Sequence, residues 1–396
     1  MKRFILLLLL TAFTGVFTYA QDEKVKPLEG DPGYSPGFKQ EMSYLSDKFD
    51  ERMQVWLKNA NRPSSDELRS MNAYGFAPDE VPTYSMEVVQ DRLNKLNFVV
   101  PMDYNPIVKS YIDLYTVRYR KMTELLLGRA EIYFPIFEEV FDKEGVPQEL
   151  KYVAIIESAL NAQAKSWAGA KGFFQFMYGT ARLYDLKMNS FVDERCDPYK
   201  SATAAARYMR DLYKIYGDWH LVMASYNCGP GNMNRAIRRS GGKKTYWEVA
   251  PYLPAETRGY VPGFIGAAYA MEYATEHNLY PRYTDFSFNV DEIKVVRQKL
   301  SLRDLAIKTN SDYETLKKLN PELKLGVVPY SNAPYAVRVP HKTALAVRKA
   351  MREGSIELNE LQPTYTKASN TNTIDRKLVY HVLAKGEQLD DVAKEY

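Results

Sequence analysis

Cysteine is nearly missing from this 396-residue sequence, which holds only Cys196 and Cys228. Two thiols cannot build a four-cysteine zinc site. In an oxidising compartment they can pair and close a loop of about 30 residues, worth about 3 kcal/mol. Left as thiols, they are two small buried hydrophobes. The sequence leaves both alternatives open. Histidine is also scarce, and His220, His277, His341 and His381 are scattered with no His-Glu-x-x-His pair, so no metal site is indicated. "SGGKKT", residues 240–245, has neither the glycine spacing nor the hydroxyl placement of a phosphate-binding loop and reads as a basic turn. No cofactor is expected.

Charge of one sign is lacking too. Lysine and arginine number 53 against 49 acidic residues, a net +4, which is too even for a nucleic-acid partner. Tryptophan stays at 4 while tyrosine reaches 31. Tyrosine joins a flat apolar face to a polar tip, which suits a wet, polar ligand as well as ordinary half-buried surface.

Long apolar runs are absent after the first twenty residues. There Lys2 and Arg3 precede the apolar run Phe4–Leu10, and Thr18-Tyr19-Ala20 leads into the polar Gln21-Asp22-Glu23-Lys24. A basic start, a short apolar core and a small-residue exit form the pattern of a cleaved secretory leader, expected over 1–20. The alternative is an uncut anchor, for which the core is short against a span of about 20 residues. With no cysteine near the exit, an N-terminal lipid has no attachment point, and no membrane span is expected in the mature chain.

Residues 21–104 read as an extended Pro/Gly linker followed by helices over "EMSYLSDKFDERMQVWLKNA" and "SMEVVQDRLNKLN". From 105 to 282 helical periodicity is almost continuous, broken at Gly128, Pro135 and Gly145. This predicts a mainly α domain of many short helices. The pattern changes after Tyr280. "SFNVDEIKVV" reads as a strand, "SLRDLAIKT" and "DYETLKKLN" as two helices, and "YAVRVP" as a closing strand, giving a βααβ unit over 286–341. A polar linker is expected over 342–377. "LVYHVLAKGEQLDDVAKEY", 378–396, opens a similar unit that cannot bury a core alone, so further chain is expected beyond it.

Within the helical region, Pro147 suits a first helical turn. Leu150, Val153, Ala154 and Glu157 then fall at i, i+3, i+4 and i+7. Glu157 therefore lies on the apolar stripe. A carboxylate there is either a buried ion-pair partner or a general acid whose pKa burial raises. The next segment, "KSWAGAKGFFQF", carries Gly169 and Gly172, which let backbone approach a ligand, and Gln175, an amide able to both donate and accept. "ASYNCGPGN" places Tyr226 and Asn227 before a tight turn.

Four motifs together resemble the soluble lytic transglycosylase family of bacterial cell-wall enzymes, over about 105–280. They are Glu157-Ser158 ending a helix, the loop Ser166 to Gly172 running into Phe173-Phe174-Gln175, then Ser225-Tyr226-Asn227-Cys228-Gly229, and finally "LPAETRGYVPGF" with Glu256 and Tyr260. The family usually has Gly-Leu-Met-Gln or Gly-Leu-Trp-Gln where this chain has Gly-Phe-Phe-Gln. Its membrane-bound transglycosylase D type carries C-terminal LysM repeats, small glycan-binding folds, and the βααβ unit resembles one. That unit has Lys299-Leu300-Ser301 where Gly-Asp is usual, while the second copy keeps Lys385-Gly386-Glu387.

The resemblance implies a goose-type lysozyme-like helical catalytic domain followed by small LysM-like modules. It implies that Glu157 acts as the single acid and base in cleaving peptidoglycan between N-acetylmuramic acid and N-acetylglucosamine, giving a 1,6-anhydro end. Ser166 and Gln175 would hold acetamide and hydroxyl groups, with Ser158, Gly172 and Met177 in the same binding set. Tyr226 would orient Glu157 or substrate, Asn227 would brace the loop, and Glu256 and Tyr260 would line or support the cleft. The implied partner is peptidoglycan, and the implied location is across the inner membrane, in the periplasm or envelope. Two rivals remain. One is a hydrolase of the same bond using Asp185, Asp193 or Glu194 to activate water, with Asp197 also nearby. The other is an inert wall-binding protein.

Overall fold

The computed structural model describes residue 72, residues 74–282 and 290–354, and residue 356. The expected leader, the helix expected over 41–60 and the half-unit from 378 lie outside the described residues.

The stretch "SMEVVQDRLNKLN" forms α1 (Met86–Lys95), with Glu87 in its first turn and Arg92 and Lys95 in its last, the charge order that favours a helix dipole. Val89 and Leu93 bury one face. Arg92 lies 3.8 Å from the Tyr84 ring centroid and donates to Tyr269 Oη at 3.0 Å. Asn278 in turn donates to the carbonyls of Ala77 and Glu80. Residues 74–104 are thus packed onto the helical body and do not stand apart from it.

Asn105 caps α2 (Pro106–Asp113) by accepting from the Val108 amide at 2.9 Å. A π-helical turn over Leu114–Arg118 leads into α3 (Arg120–Glu144). The breaks expected at Gly128 and Pro135 do not occur, since both residues lie inside this one helix. Gly128 is there because a Cβ would stand 2.0 Å from the carbonyl oxygen of Arg282. Pro135 removes one helical hydrogen bond, which the flanking Phe134, Phe137 and Phe141 offset by packing into the core. Only Gly145 stops the helix, in the left-handed conformation.

After Pro147 a 3-10 turn (Gln148–Tyr152) runs into α4 (Val153–Ser158), whose residues are all buried. Around it stand α5 (Tyr178–Leu183), α6 (Pro198–Tyr216), α7 (Trp219–Cys228), α8 (Pro230–Arg239), α9 (Tyr246–Val249) and α10 (Tyr260–Glu272). The last of these is the central apolar helix, buried from Tyr260 to Ala270. At Gly266 a Cβ would meet Tyr111 at 2.8 Å, so α2 and α10 cross at close range.

The C-terminal module has β1 (Val290–Val295) paired antiparallel with β4 (Tyr335–Pro340), Val290 opposite Pro340 and Val295 opposite Tyr335. A short pair joins β2 (Leu300–Ser301) to β3 (Val327–Val328). Ser301 caps α11 (Leu302–Thr309) and Asp312 caps α12 (Tyr313–Leu319). The expected strand, two helices and closing strand are all present. The linker expected from 342 is not a linker at its start, because α13 (His341–Arg352) continues directly from β4. Thr343, Ala344, Val347 and Ala350 give it a buried face, and Asp291 accepts from His341 and Arg348 at its outer edge. A polar-looking stretch with that spacing has an apolar stripe to bury.

Candidate active site

Glu157 sits in the last turn of α4 and is 4% exposed. Tyr260, the first residue of α10, donates its hydroxyl to Glu157 Oε1 at 2.6 Å. Burial, with the Glu157 carboxylate next in weight, holds the Tyr260 phenol well above its usual 10. The same two causes hold Tyr226 high. Both phenols are therefore protonated donors around the carboxylate. Tyr226 spends its proton on the carbonyl of Phe174 at 2.7 Å, so it pins the loop while standing beside Glu157.

Immediately after α4 the chain turns sharply. Ala159 and Leu160 both take left-handed backbone, φ 52° and 56°, a costly state for side-chain-bearing residues. Arg129 holds this turn by donating to the Ala159 carbonyl at 2.8 Å. Sequence reasoning missed Arg129, whose position on α3 lies 30 residues away.

The loop over 164–176 is built from hydrogen bonds inside itself. Ser158 Oγ donates to the Phe173 carbonyl at 2.8 Å and is buried at 1% exposure. It joins α4 to the loop and does not face a ligand. Ser166 Oγ accepts from the Ala170 amide at 2.9 Å, so this hydroxyl also serves the loop. Gly172 was expected to admit a ligand, but the close approach is to protein: a Cβ there would lie 1.7 Å from the Arg195 carbonyl oxygen. Gln175, at φ 47°, donates its amide to the carbonyls of Gly172 at 2.8 Å and Ala164 at 3.1 Å. Its Oε1 is buried and has no hydrogen-bond partner among the described residues, an acceptor left for a donor that is not protein. Met177 is exposed, as are Trp167, at 70%, and Tyr178.

Asn227 accepts from Thr257 Oγ1 at 2.8 Å, which ties α7 to the turn before α10. Arg258 donates to the Leu253 carbonyl, and no ion pair joins it to Glu256 among the described residues. Burial pushes the Glu256 carboxyl up to about 7.

Three of the four carboxylates weighed from the sequence are committed. Asp193 is paired with Arg195 at 2.9 Å and Lys171 at 3.3 Å, Glu194 with Lys200 at 2.6 Å, and Asp197 with Arg338 at 3.1 Å. Asp185 is exposed. The disulfide alternative is not realised, since both thiols are free. Cys196 is fixed behind the loop, against the position a Gly172 side chain would take. Cys228 ends α7 with its thiol toward the Gly229 carbonyl. Burial raises the two to about 12 and about 11, so both behave as small apolar groups. Among the described residues no cluster of His, Cys, Asp and Glu could hold a metal ion, and no helix is long and apolar enough to cross a membrane.

Comparison with known proteins agrees with this order of parts. The family described as transglycosylase SLT domain matches residues 135–248, and the LysM-like domain of lytic transglycosylase D matches 289–355. The chain is 32% identical over 269 residues to the membrane-bound lytic murein transglycosylase D of Escherichia coli (strain K12), covering 67% of this chain and 57% of that protein. It is 30% identical over 136 residues to the soluble lytic murein transglycosylase of Escherichia coli (strain K12), covering 33% of this chain and 21% of that one. The chain thus spans little more than half the length of the first of these relatives. The solved 70 kDa soluble lytic transglycosylase from Escherichia coli aligns over 59% of this chain and 46% of its own at 18% identity and a TM-score of 0.35, too loosely to carry any argument. The two matched domains follow one another along the chain as a transglycosylase SLT domain and then the LysM-like domain of lytic transglycosylase D.

Proposed function

We propose that this chain is a peptidoglycan lytic transglycosylase in which Glu157 is the only acid and base. Glu157 protonates the oxygen linking N-acetylmuramic acid to N-acetylglucosamine as the bond from that oxygen to muramic C1 breaks. The substrate's own N-acetyl group stabilises the charge at C1, the role that a second carboxylate takes in most glycosidases. The Glu157 carboxylate then accepts the proton of the muramic C6 hydroxyl while O6 bonds to C1. One C–O bond breaks, one forms, the proton is returned, and no water is consumed. The product is a 1,6-anhydro end.

The observation that carries this reading is the buried Glu157 carboxylate beneath the Tyr260 hydroxyl. Glu157 is enclosed and oriented by the Tyr260 hydroxyl, while Asp193, Glu194 and Asp197 are already bound to lysine or arginine. The unpartnered Oε1 of Gln175 suits the N–H of an acetamide. The C-terminal module supports a glycan-facing role, and the murein named in the relatives supports the cell envelope as the location. Glu256 favours one rival reading. Burial brings it to about 7, and it lacks an ion-pair partner among the described residues. A carboxyl titrating there is able to activate water in a hydrolase.

Mass spectrometry of fragments released from purified peptidoglycan tests the proposal, with Glu157→Gln beside the wild type. Expected are ends lighter by one water from the wild type and no release by the variant. Hydrated ends would replace the proposal by hydrolysis, and sacculus binding without release by the wild type would leave a wall-binding protein.

A further inference from the structure

The C-terminal module does not hang free of the helical body. Arg338 on β4 is 6% exposed, and Glu322 and Asp197 are buried around it. Its guanidinium donates to Asp197 Oδ2 at 3.1 Å from both terminal nitrogens and to Glu322 Oε2 at 2.7 Å, while Nε donates to the Leu319 carbonyl at 2.7 Å. Asp197 belongs to the helical body and caps α6 through the Lys200 amide. Backbone joins backbone beside this cluster. The Asp193 amide donates to the Glu322 carbonyl at 2.9 Å and the Lys324 amide to the Phe191 carbonyl at 2.8 Å, with Val192 opposite Leu323 in an antiparallel bridge.

The other side of the 189–197 segment faces the loop that follows Glu157. Arg195 donates to the carbonyls of Gly169 at 3.0 Å and Phe176 at 3.1 Å, and its own carbonyl fills the space beside Gly172. Lys171 on the loop pairs with Asp193. Gln163, just before the loop, donates directly to the Pro321 carbonyl of the module. Hydrogen bonds and the short backbone between them therefore connect β4 through Asp197 and Arg195 to the Gly169 and Phe176 carbonyls of the loop that carries Gln175.

We infer that the C-terminal module is a fixed wall of the catalytic unit, and that Arg338 is a positioning residue that holds the 164–176 loop in register through Asp197 and the 189–197 segment. The inference rests on the reading of Glu157 as the acid and of Gln175 as a substrate contact. A buried guanidinium shared by two carboxylates contributes little net stability but fixes geometry, and removing one partner leaves an uncompensated charge. On this account the module's place in the fold is to set the loop, whatever glycan it also holds.

Hydrogen exchange on the full chain tests this, comparing wild type, Arg338→Lys and Arg338→Met, with α10 as internal reference. Arg338→Met should speed exchange of the 164–176 and 189–197 amides at least tenfold with α10 still protected. Turnover on peptidoglycan should fall at least fivefold in kcat with KM little changed, and Arg338→Lys should recover part of both. Where Arg338→Met loosens α10 as well, the double variant Arg338→Met/Glu322→Gln, which strands no charge at Glu322, decides by the same criteria. Faster exchange confined to 290–352, with the loop and turnover as in wild type, would overturn the inference. Because exchange is read without substrate, a chain that released nothing from peptidoglycan would defeat the functional reading and leave this test standing.

Discussion

At the scale of single residues, the site depends on one donor aimed at one carboxylate. Tyr260→Phe removes the hydroxyl that meets Glu157 at 2.6 Å and leaves a ring of the same shape. A hydrogen bond to a charged group is worth about 1.5–3 kcal/mol, so kcat should fall roughly 10- to 100-fold, with a modest drop in thermal stability and an unchanged helical circular dichroism spectrum. Trp167 stands 70% exposed at the tip of the loop, an unusual place for an indole unless a ring stacks on it. Trp167→Ala should raise KM for glycan about 3- to 10-fold, from a stacking energy of about 0.5–1.5 kcal/mol, with little change in kcat; steady-state kinetics on peptidoglycan fragments reads both. Glu157 was legible in the sequence as a charge at i+7 on an apolar stripe, which spacing left open between an ion-pair partner and an acid until the four motifs were read together. Its partner was legible only as a motif residue, since nothing in spacing reveals that a tyrosine 103 residues on reaches the same carboxylate. Ser158 and Ser166 misled for a physical reason. A hydroxyl in a tight loop satisfies backbone as readily as it would a sugar, and sequence cannot distinguish the two.

At the scale of elements, the 164–176 loop is a packed structure braced from behind. Two of its glycines give a direct comparison. Both take positive φ, 89° at Gly169 and 86° at Gly172, but a Cβ at Gly169 meets nothing within 4 Å while one at Gly172 meets the Arg195 carbonyl at 1.7 Å. Gly169→Ala should cost only the left-handed backbone, about 1–2 kcal/mol. Gly172→Ala should cost more than about 3 kcal/mol and lower activity as the loop parts from 193–197. Denaturant unfolding of the two variants measures the difference, and equal losses would contradict the packing described. Helix periodicity located most elements, and it failed where tertiary contact outweighed local rules. Gly128 and Pro135 look like breaks, yet α3 runs through both because Arg282 needs the space at one and aromatic packing holds the other. The start of the expected linker is α13, whose apolar positions are spaced among many charges and find β1 and β4 only once the module has folded.

At the scale of the whole molecule, residues 74–104, the helical body and the C-terminal module are tied by buried polar groups, and one of these makes the fold sensitive to acid. His277 is 3% exposed, beside Tyr84 and Tyr269. Burial first, then the Arg92 guanidinium, with Arg120 and Lys109 behind, depress it from 6.5 to about 4. The folded state thus binds this proton less readily than the unfolded chain. The neutral ring is stable above about pH 6.5, and stability is lost as pH falls from there toward 4, by on the order of 3 kcal/mol. His277→Gln should flatten that part of the curve in urea unfolding between pH 7 and 4, and an unchanged slope would contradict the assignment.

The central claim is that bond cleavage consumes no water, and digestion of purified peptidoglycan in water enriched in oxygen-18 tests it most directly. The account predicts new muramic ends that carry no label and are lighter by one water than hydrolysed ends. Incorporation of one labelled oxygen per bond broken would contradict it and turn attention from Glu157 alone to Glu157 with Glu256.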